Sequence, residues 1–537
     1  MSPVDPDRLE HHLKQIGYDR TKTKFLVDGF RYGFRLQHES QATTTAPKND
    51  PSIDALFSVA KEKIDKEVAS GRMKGPFDEP PFEEFHISPI KLTEKSVKNT
   101  YRLIHNLSWP YDDTSINSQI PPEYKTVQYA NVNKAINLIM RFPRGSYTRK
   151  TDIKHAFKLI PIHPDDHHKL GLTLDGKYYY DVTLPMGASS ACQIFEAFST
   201  ALQAIYDFHA TQGGLSTHYL DDFFFIDITY AASIANEKIF DGICLDLGVP
   251  QAPDKKTAPS METEFLGILL DSGRWLASLP LAKVRSYCEE LQSSSQRSKL
   301  TQKELQSVVG KLSFASTVVP ARSFLRRLIS RIHSVERPYH YIKLTRDMLE
   351  DIYTWLQFLD QYNGVTYFRS LKILPKNHLN MGADASKLGF GCTFGRHWLQ
   401  DPYPRAWQRL YESSDIGSTV LELYPILVLI GVFGSAIENS SILFHSDNIG
   451  VVQVINKQSS SRPIIMEIVR PLVLLLMKHN ISLLSQHIQG SKNILCDTIS
   501  RFKVTPALLL RYGMDPDPTP IPLHLQSNNF KLNTSKI

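Results

Sequence analysis

Residues Ser216-Thr217-His218-Tyr219-Leu220-Asp221-Asp222-Phe223-Phe224-Phe225-Ile226-Asp227 set two adjacent carboxylates inside an otherwise apolar, β-favouring run. The pattern predicts strand, tight turn, strand. Adjacent acids at the tip of a hydrophobic hairpin repel each other; open water tolerates them, and a divalent cation neutralises them. An Asp-Asp pair also simply favours chain reversal, so chemistry needs a further acid. Asp152 supplies it, ending a short β-like run from Tyr147 and preceding Ile153-Lys154-His155-Ala156-Phe157. Three carboxylates on adjoining strands of one sheet suit two Mg²⁺ ions and in-line attack of a hydroxyl on a phosphate.

At 537 residues the chain is too long for one core, and a size of roughly 100–200 residues per domain predicts about three or four. The balance of 61 Lys+Arg against 55 Asp+Glu, net +6, is a weak pointer to nucleic acid; local charge matters more. Five cysteines (Cys192, Cys244, Cys288, Cys392, Cys496) lack zinc-ligand or thioredoxin spacing, which suggests a reducing compartment. The N-terminus has no apolar signal core, and the longest greasy runs, Ile426 to Phe433 and Pro471 to Met477, are short against the ~20 residues that cross a bilayer. The expectation is a soluble, intracellular protein of cytoplasm or nucleus with no membrane partner.

Along the chain, a polar linker closes at Asp50, and Asp54 to Ala69 has helical spacing. Leu184-Pro185-Met186-Gly187 opens a long helix to about Thr211, a second helix runs from about Ala231 to Leu247, and Glu264 to Asp271 is a hairpin. From Pro280 to about Ile332 the pattern is helical, with Thr301-Gln302-Lys303-Glu304 as a capping box. Strands and helices alternate from about 380 to 502, and the Pro-containing tail from about Pro516 reads as poorly ordered.

With Thr151-Asp152, Leu184-Pro185-Met186-Gly187 and Tyr219-Leu220-Asp221-Asp222 in this order, the chain resembles a reverse transcriptase, and its later part resembles a retroelement RNase H. Arg102-Leu103-Ile104-His105-Asn106-Leu107-Ser108, Thr151-Asp152-Ile153-Lys154, His218 to Phe223 and Leu300 to Ser307 look like DIRS-like retrotransposons, which also encode a tyrosine recombinase. The resemblance spans about residues 50 to 505 and rests on several motifs in fixed order. It implies an α+β multidomain fold, a right-hand polymerase (fingers, palm, thumb) followed by an α/β RNase H-like domain. The implied divisions are an N-terminal extension (1–50), fingers and palm (51–279), thumb and connection (280–375), RNase H-like domain (376–505) and C-terminal tail (506–537).

The implied activity is RNA- and DNA-directed DNA polymerisation with RNase H cleavage, acting on an RNA template, DNA primer, RNA–DNA hybrid and dNTPs. Recombinase or other element proteins would act in trans. Asp152 and Asp221 would bridge two Mg²⁺ ions (or Mn²⁺), with Asp222 in support. Arg102 matches the fingers arginine on the triphosphate and Lys95 its companion; Lys256, with Lys255, falls near the leaving group. Phe157 matches the aromatic beneath the sugar that leaves no room for a 2′-hydroxyl. Met186 and Gly187 approach nucleotide and template; Met186 replaces the glutamine of retroviral enzymes, so no polar contact carries over. Phe265-Leu266-Gly267 resembles the primer grip, and Lys311, Arg322, Arg326 and Arg327 the phosphate-facing cations of a thumb.

In the second site Asp384, Glu422, Asp447 and Asp497 match the RNase H carboxylates on two Mg²⁺ ions, and His487 matches the mobile-loop histidine of proton transfer or product release. Glu412 is a rival for Glu422. Leu270-Asp271-Ser272-Gly273 mimics an aspartic-protease signature as a single copy only, and Gly389 to Gly395 lacks dinucleotide-loop spacing. His163, Asp165, Asp166, His167 and His168 read as an acid-rich helix start rather than a zinc site. Two other readings compete: a catalytically silent nucleic-acid-binding relic, and a nuclease with a polymerase-shaped platform. Complete carboxylate sets oppose the first, and the intact Asp221-Asp222 turn opposes the second.

Overall fold

A computed structural model describes residues 2–37, 46–95, 99–362, 366–368, 372–373 and 381–532. The chain divides into two units, Met1–Leu266 with Leu270–Trp275, and Gly267–Leu269 with Leu276–Ile537.

The first unit opens with α1 (Pro6–Gln15) and α2 (Arg20–Tyr32), each started by an aspartate, Asp5 or Asp19, whose side chain accepts first-turn N–H groups. Leu9, Leu13, Leu26 and Phe30 turn inward and join the core around the central sheet. Next come α3 (Phe57–Ala69), β1 (Met73–Phe77), β2 (Ile90–Glu94) and β3 (Tyr101–His105). The central sheet uses β4 (Tyr147–Asp152); β5 (Gly171–Leu174) and β6 (Lys177–Asp181) form a separate sheet with β1. Ile64, Met73, Ile90, Leu92, Leu172 and Tyr179 knit these pieces into a second core.

The long helix, α4 (Ala191–His209), starts later than the periodicity suggests, because Leu184 is still extended chain bonded to Ile160 O. It is followed by β7 (Leu215–Tyr219), β8 (Asp222–Asp227) and α5 (Tyr230–Leu247). The order β4-β8-β7 is antiparallel throughout. Phe223 and Phe225 face the helices, with Phe225 centred 4.8 Å from both Tyr206 and Phe240, while Phe224 packs on Phe265 at 5.1 Å. A strand apolar on both faces is therefore sandwiched, and each buried ring contributes about 1.5–3 kcal/mol. Beyond it, β9 (Glu262–Phe265) and β10 (Ile268–Asp271) flank a turn in which Leu266 and Gly267 both have positive φ, 49° and 76°.

In the second unit α6 (Leu281–Ser295), α7 (Gln302–Ala315), α8 (Arg326–Ile332) and α9 (Arg346–Tyr362) come first. The capping box forms: Thr301 and Glu304 exchange side-chain-to-backbone bonds at the start of α7. Of the four expected phosphate-facing cations, two are engaged internally: Lys311 with Glu290, and Arg327 with the buried Asp351 at 3.0 Å. Arg322 and Arg326 are exposed.

An antiparallel sheet of β11 (Gly382–Ala385), β12 (Gly389–Phe394) and β13 (His397–Pro402) precedes α10 (Ser418–Phe433). Then come β14 (Ser440–Ser446), α11 (Pro463–Lys478), β15 (Ile481–His487), α12 (Ile494–Ser500) and α13 (Pro506–Tyr512). Strands β14 and β15 pair in parallel, and β11 lies beside β14. Helix α10 packs on β11 and β12, as does α12. Contrary to the short greasy runs, Ser418–Ile437 is long and apolar enough to cross a membrane, yet most of it is buried here. A core helix covered on several sides satisfies the same composition.

The tail also departs from expectation. Trp398 Nε1 donates to Asp515 O (2.9 Å), Tyr424 OH to Leu525 O (2.7 Å) and Ser527 N–H to Asp401 (2.8 Å). Phe530 packs on Tyr424 at 5.0 Å. Scattered apolar residues in a Pro-rich segment have no period, so sequence alone reads them as polar coil. The described residues form an α+β, multidomain fold, with the antiparallel β4-β8-β7 sheet in the first unit and, in the second, the antiparallel β11-β12-β13 sheet and the parallel β14-β15 pair.

Candidate active sites

Asp152, Asp221 and Asp222 lie at one end of the central sheet. Asp152 is the direct cross-strand partner of Asp222, and Tyr219 pairs with Asp222 on the other side, leaving Leu220 and Asp221 as the turn. Leu220 adopts φ 53°, a left-handed conformation strained for leucine. Its N–H reaches Glu196 of α4 at 3.3 Å, and the other Glu196 oxygen is 3.2 Å from His218 Nε2. Burial first, then Asp152, pushes Asp221 above the usual carboxylate range, against Lys255 and Arg102. Burial also pushes Asp222 up to about 6; Lys150 opposes this, and Asp152 and Asp221 add to it.

Lys255 Nζ sits 2.6 Å from Asp152 Oδ2. Lys256 does not join it, because Glu237 and Asp241 on α5 hold its ammonium at 2.7 Å each. The 3₁₀ turn Pro253–Lys255 decides which of two adjacent lysines faces the acids. Lys95, Arg102 and Met186 line one 260 Å³ cavity with Lys63 and Lys66 of α3, Arg72, His155 and Lys158. Sequence reasoning missed the α3 lysines, which look like one solvated helix face. Phe157 is half-buried against Phe195 (5.3 Å) and does not line that cavity. Gly187 is required inside the protein: a Cβ there would meet His105 O at 2.0 Å.

The second carboxylate set comes from a strand (Asp384), two helices (Glu422 and Asp497) and the residue that follows β14 (Asp447). Asp384, on β11 and 8% exposed, is pushed up to about 6 by burial, with Asp447 and Asp497 adding, although Ser500 Oγ donates to it at 2.7 Å. Glu422 on α10 is pushed up to about 7 by burial, with Asp447 and Asp384 adding, against an Asn448 hydrogen bond of 2.9 Å. Glu412, at the end of another helix, is exposed. Asp497 pairs with Arg501 at 2.7 Å. Exposed His487 ends β15 opposite Ser446, its Nε2 3.2 Å from Asp447 O. Ser500, Asn448 and Arg501 carry no motif signal and were not foreseen.

Among the described residues, no three His, Cys, Asp or Glu side chains are drawn close enough to hold a metal ion as they stand. Asp152 is paired with Lys255 and Asp497 with Arg501. The donor chemistry itself, all carboxylate oxygen, fits a hard divalent cation. His163 caps a 3₁₀ turn, Pro164–Lys169, in which buried Asp166 takes Arg35 (3.0 Å) and Lys169 (2.8 Å).

No family model and no curated protein matches the chain. Among solved structures it is similar to a foamy viral protease-reverse transcriptase in complex with double-stranded DNA. The identity is 16% and the TM-score 0.46, over 90% of this chain and 97% of that one. A foamy viral protease-reverse transcriptase dRH with double-stranded DNA matches at 16% and 0.46 over 89% and 81% of the two chains. One in complex with an RNA/DNA hybrid matches at 14% and 0.39 over 93% and 86%. These likenesses are loose, and the chemistry below rests on this chain's own residues.

Proposed function

We propose that the chain is an RNA- and DNA-templated DNA polymerase that also cleaves the RNA strand of RNA–DNA hybrids, of the kind a DIRS-like retrotransposon encodes. The observation that carries it is the register of β4 on β8, with Asp152 facing Asp222 and Asp221 in the adjoining turn. The polymerase reaction is attack of a primer 3′-hydroxyl on the α-phosphorus of a dNTP. Asp152, Asp221 and Asp222 would hold one pair of Mg²⁺ or Mn²⁺ ions, and Asp384, Glu422, Asp447 and Asp497 another. Such cations, when bound, acidify the attacking hydroxyl or water and stabilise the leaving oxygen.

The chain's own groups supply the rest. Arg102 and Lys95, with Lys63 and Lys66 in the same cavity, offset triphosphate charge. Lys255 is the lysine near the leaving group. Phe157, by its match to the aromatic beneath the sugar, would exclude a 2′-hydroxyl and so favour deoxynucleotides. His487, beside Asp447, moves a proton or clears product. Arg322 and Arg326 suit template and primer phosphates without sequence preference. Recombinase or other element proteins, where such an element encodes them, would act in trans, in cytoplasm or nucleus.

Both halves are testable on the full chain. Primer extension on poly(rA)/oligo(dT) that Asp221→Asn abolishes supports the polymerase. Cleavage of an RNA–DNA hybrid that Asp447→Asn abolishes supports the nuclease; activity in either assay that survives its variant contradicts that half.

A further inference from the structure

Phe157 rides on a 3₁₀ turn, Ala156–Leu159, preceded by His155 at φ 63° and without a side-chain cap bond. Such a turn is a weak support, since its hydrogen bonds are poorly aligned. A ring that excludes a hydroxyl must nevertheless hold its place, because a shift of about 1 Å near a reacting group is costly. Phe195 steadies one side of the ring. The other anchor is the next residue: Lys158 Nζ lies 2.6 Å from Asp181 Oδ1.

Asp181 ends β6 and is 2% exposed. Its second oxygen is 3.2 Å from His105 Nδ1, and His105 Nε2 is 3.0 Å from Gly171 O. His105 ends β3, the strand that carries Arg102, and its carbonyl is the atom against which Gly187 closes. Burial works to raise the Asp181 carboxyl, but Lys158 and His105 outweigh it and hold it below the usual range. One buried carboxylate thus ties the Phe157 turn to the strand that carries Arg102, whose His105 carbonyl lies close against Gly187. Lys158, His105 and Asp181 all line the cavity that holds Arg102 and Lys95. Removing one member of a buried charged network leaves the others uncompensated, so breaking the anchor is costly.

We propose that Asp181 is the positioning residue of the sugar gate: through Lys158 it holds Phe157 in place and thereby sets discrimination between deoxy- and ribonucleotides. This rests on the polymerase reading above. The test is incorporation of dTTP and UTP on poly(rA)/oligo(dT) by the full chain, compared with Asp181→Asn, Lys158→Met and Phe157→Val, with a melting curve for each. Asp181→Asn and Lys158→Met should each narrow the dTTP:UTP ratio of kcat/KM by about tenfold or more. In a Phe157→Val background Asp181→Asn should narrow it no further, because both act through one ring. Should Asp181→Asn fail to fold, Lys158→Met decides, since it keeps the apolar stem. A ratio unchanged while both nucleotides are used equally less well overturns the inference and leaves the polymerase standing. A folded native chain that incorporates neither nucleotide overturns the polymerase reading and this inference with it.

Discussion

Lys255 reaches Asp152 at 2.6 Å while its neighbour Lys256 is turned to Glu237 and Asp241. The two lysines should therefore behave differently. Lys255→Met is expected to lower kcat/KM for dTTP about ten- to a hundredfold, the worth of a charge-assisted contact. Lys256→Met should stay within about threefold, since partly exposed pairs contribute little. Steady-state kinetics on both variants check this; equal losses would contradict it.

Glu196 accepts the N–H of the left-handed Leu220 and faces His218 from behind the Asp221-Asp222 turn. Glu196→Ala is expected to cost roughly tenfold in kcat with little change in KM. Glu196→Gln should retain most activity, because an amide oxygen still accepts the Leu220 N–H. Full activity of the alanine variant would show that the turn holds itself.

Glu422 and Asp384 predict an unusual pH profile without divalent ions. Their carboxyls are raised to about 7 and about 6, from 4.5 and 3.8. A carboxylate raised on folding contributes stability below its unfolded value and loses it as pH rises through the folded one. Cation-free protein should lose stability between about pH 4 and 7 on this account. Glu422→Gln should melt above native protein at pH 7.5, by about 1–3 kcal/mol, and the gap should close at pH 4.5. Thermal melts in chelator check it; a gap independent of pH would contradict it.

How far the sequence reveals this molecule follows from which interactions are local. The hairpin is legible because a turn interrupts an apolar run, and the capping box because Thr301 and Glu304 belong to one helix turn. Leu220 is illegible as a left-handed residue, because its side chain is not one that favours that region. Which of Lys255 and Lys256 faces Asp152 depends on the phase of a single 3₁₀ turn. The Lys158–Asp181–His105 network joins separate segments, and no spacing rule brings them together. The RNase H-like acids are legible through their order, whereas Ser500, Asn448 and Arg501, which hold three of them, are ordinary polar residues at helix ends.

The C-terminal segment gives a plainer test. Removing residues 514–537 strips Leu525, Ser527 and Phe530 from Tyr424, Asp401 and Trp407. The second unit should then melt roughly 5–10 °C lower, and on the proposed reading RNA–DNA hybrid cleavage should fall with it. An unchanged melting curve would mean that the segment adds nothing to the core.

The central claim is that Asp152, Asp221 and Asp222 form a site for nucleotidyl transfer. The most direct measurement is dTTP incorporation on poly(rA)/oligo(dT) with Mg²⁺, native chain against Asp221→Asn. Incorporation by the native chain that falls by about a thousandfold or more in the variant is the predicted result. Equal incorporation by both, or none by well-folded native protein across several primers with Mg²⁺ and Mn²⁺, would contradict it.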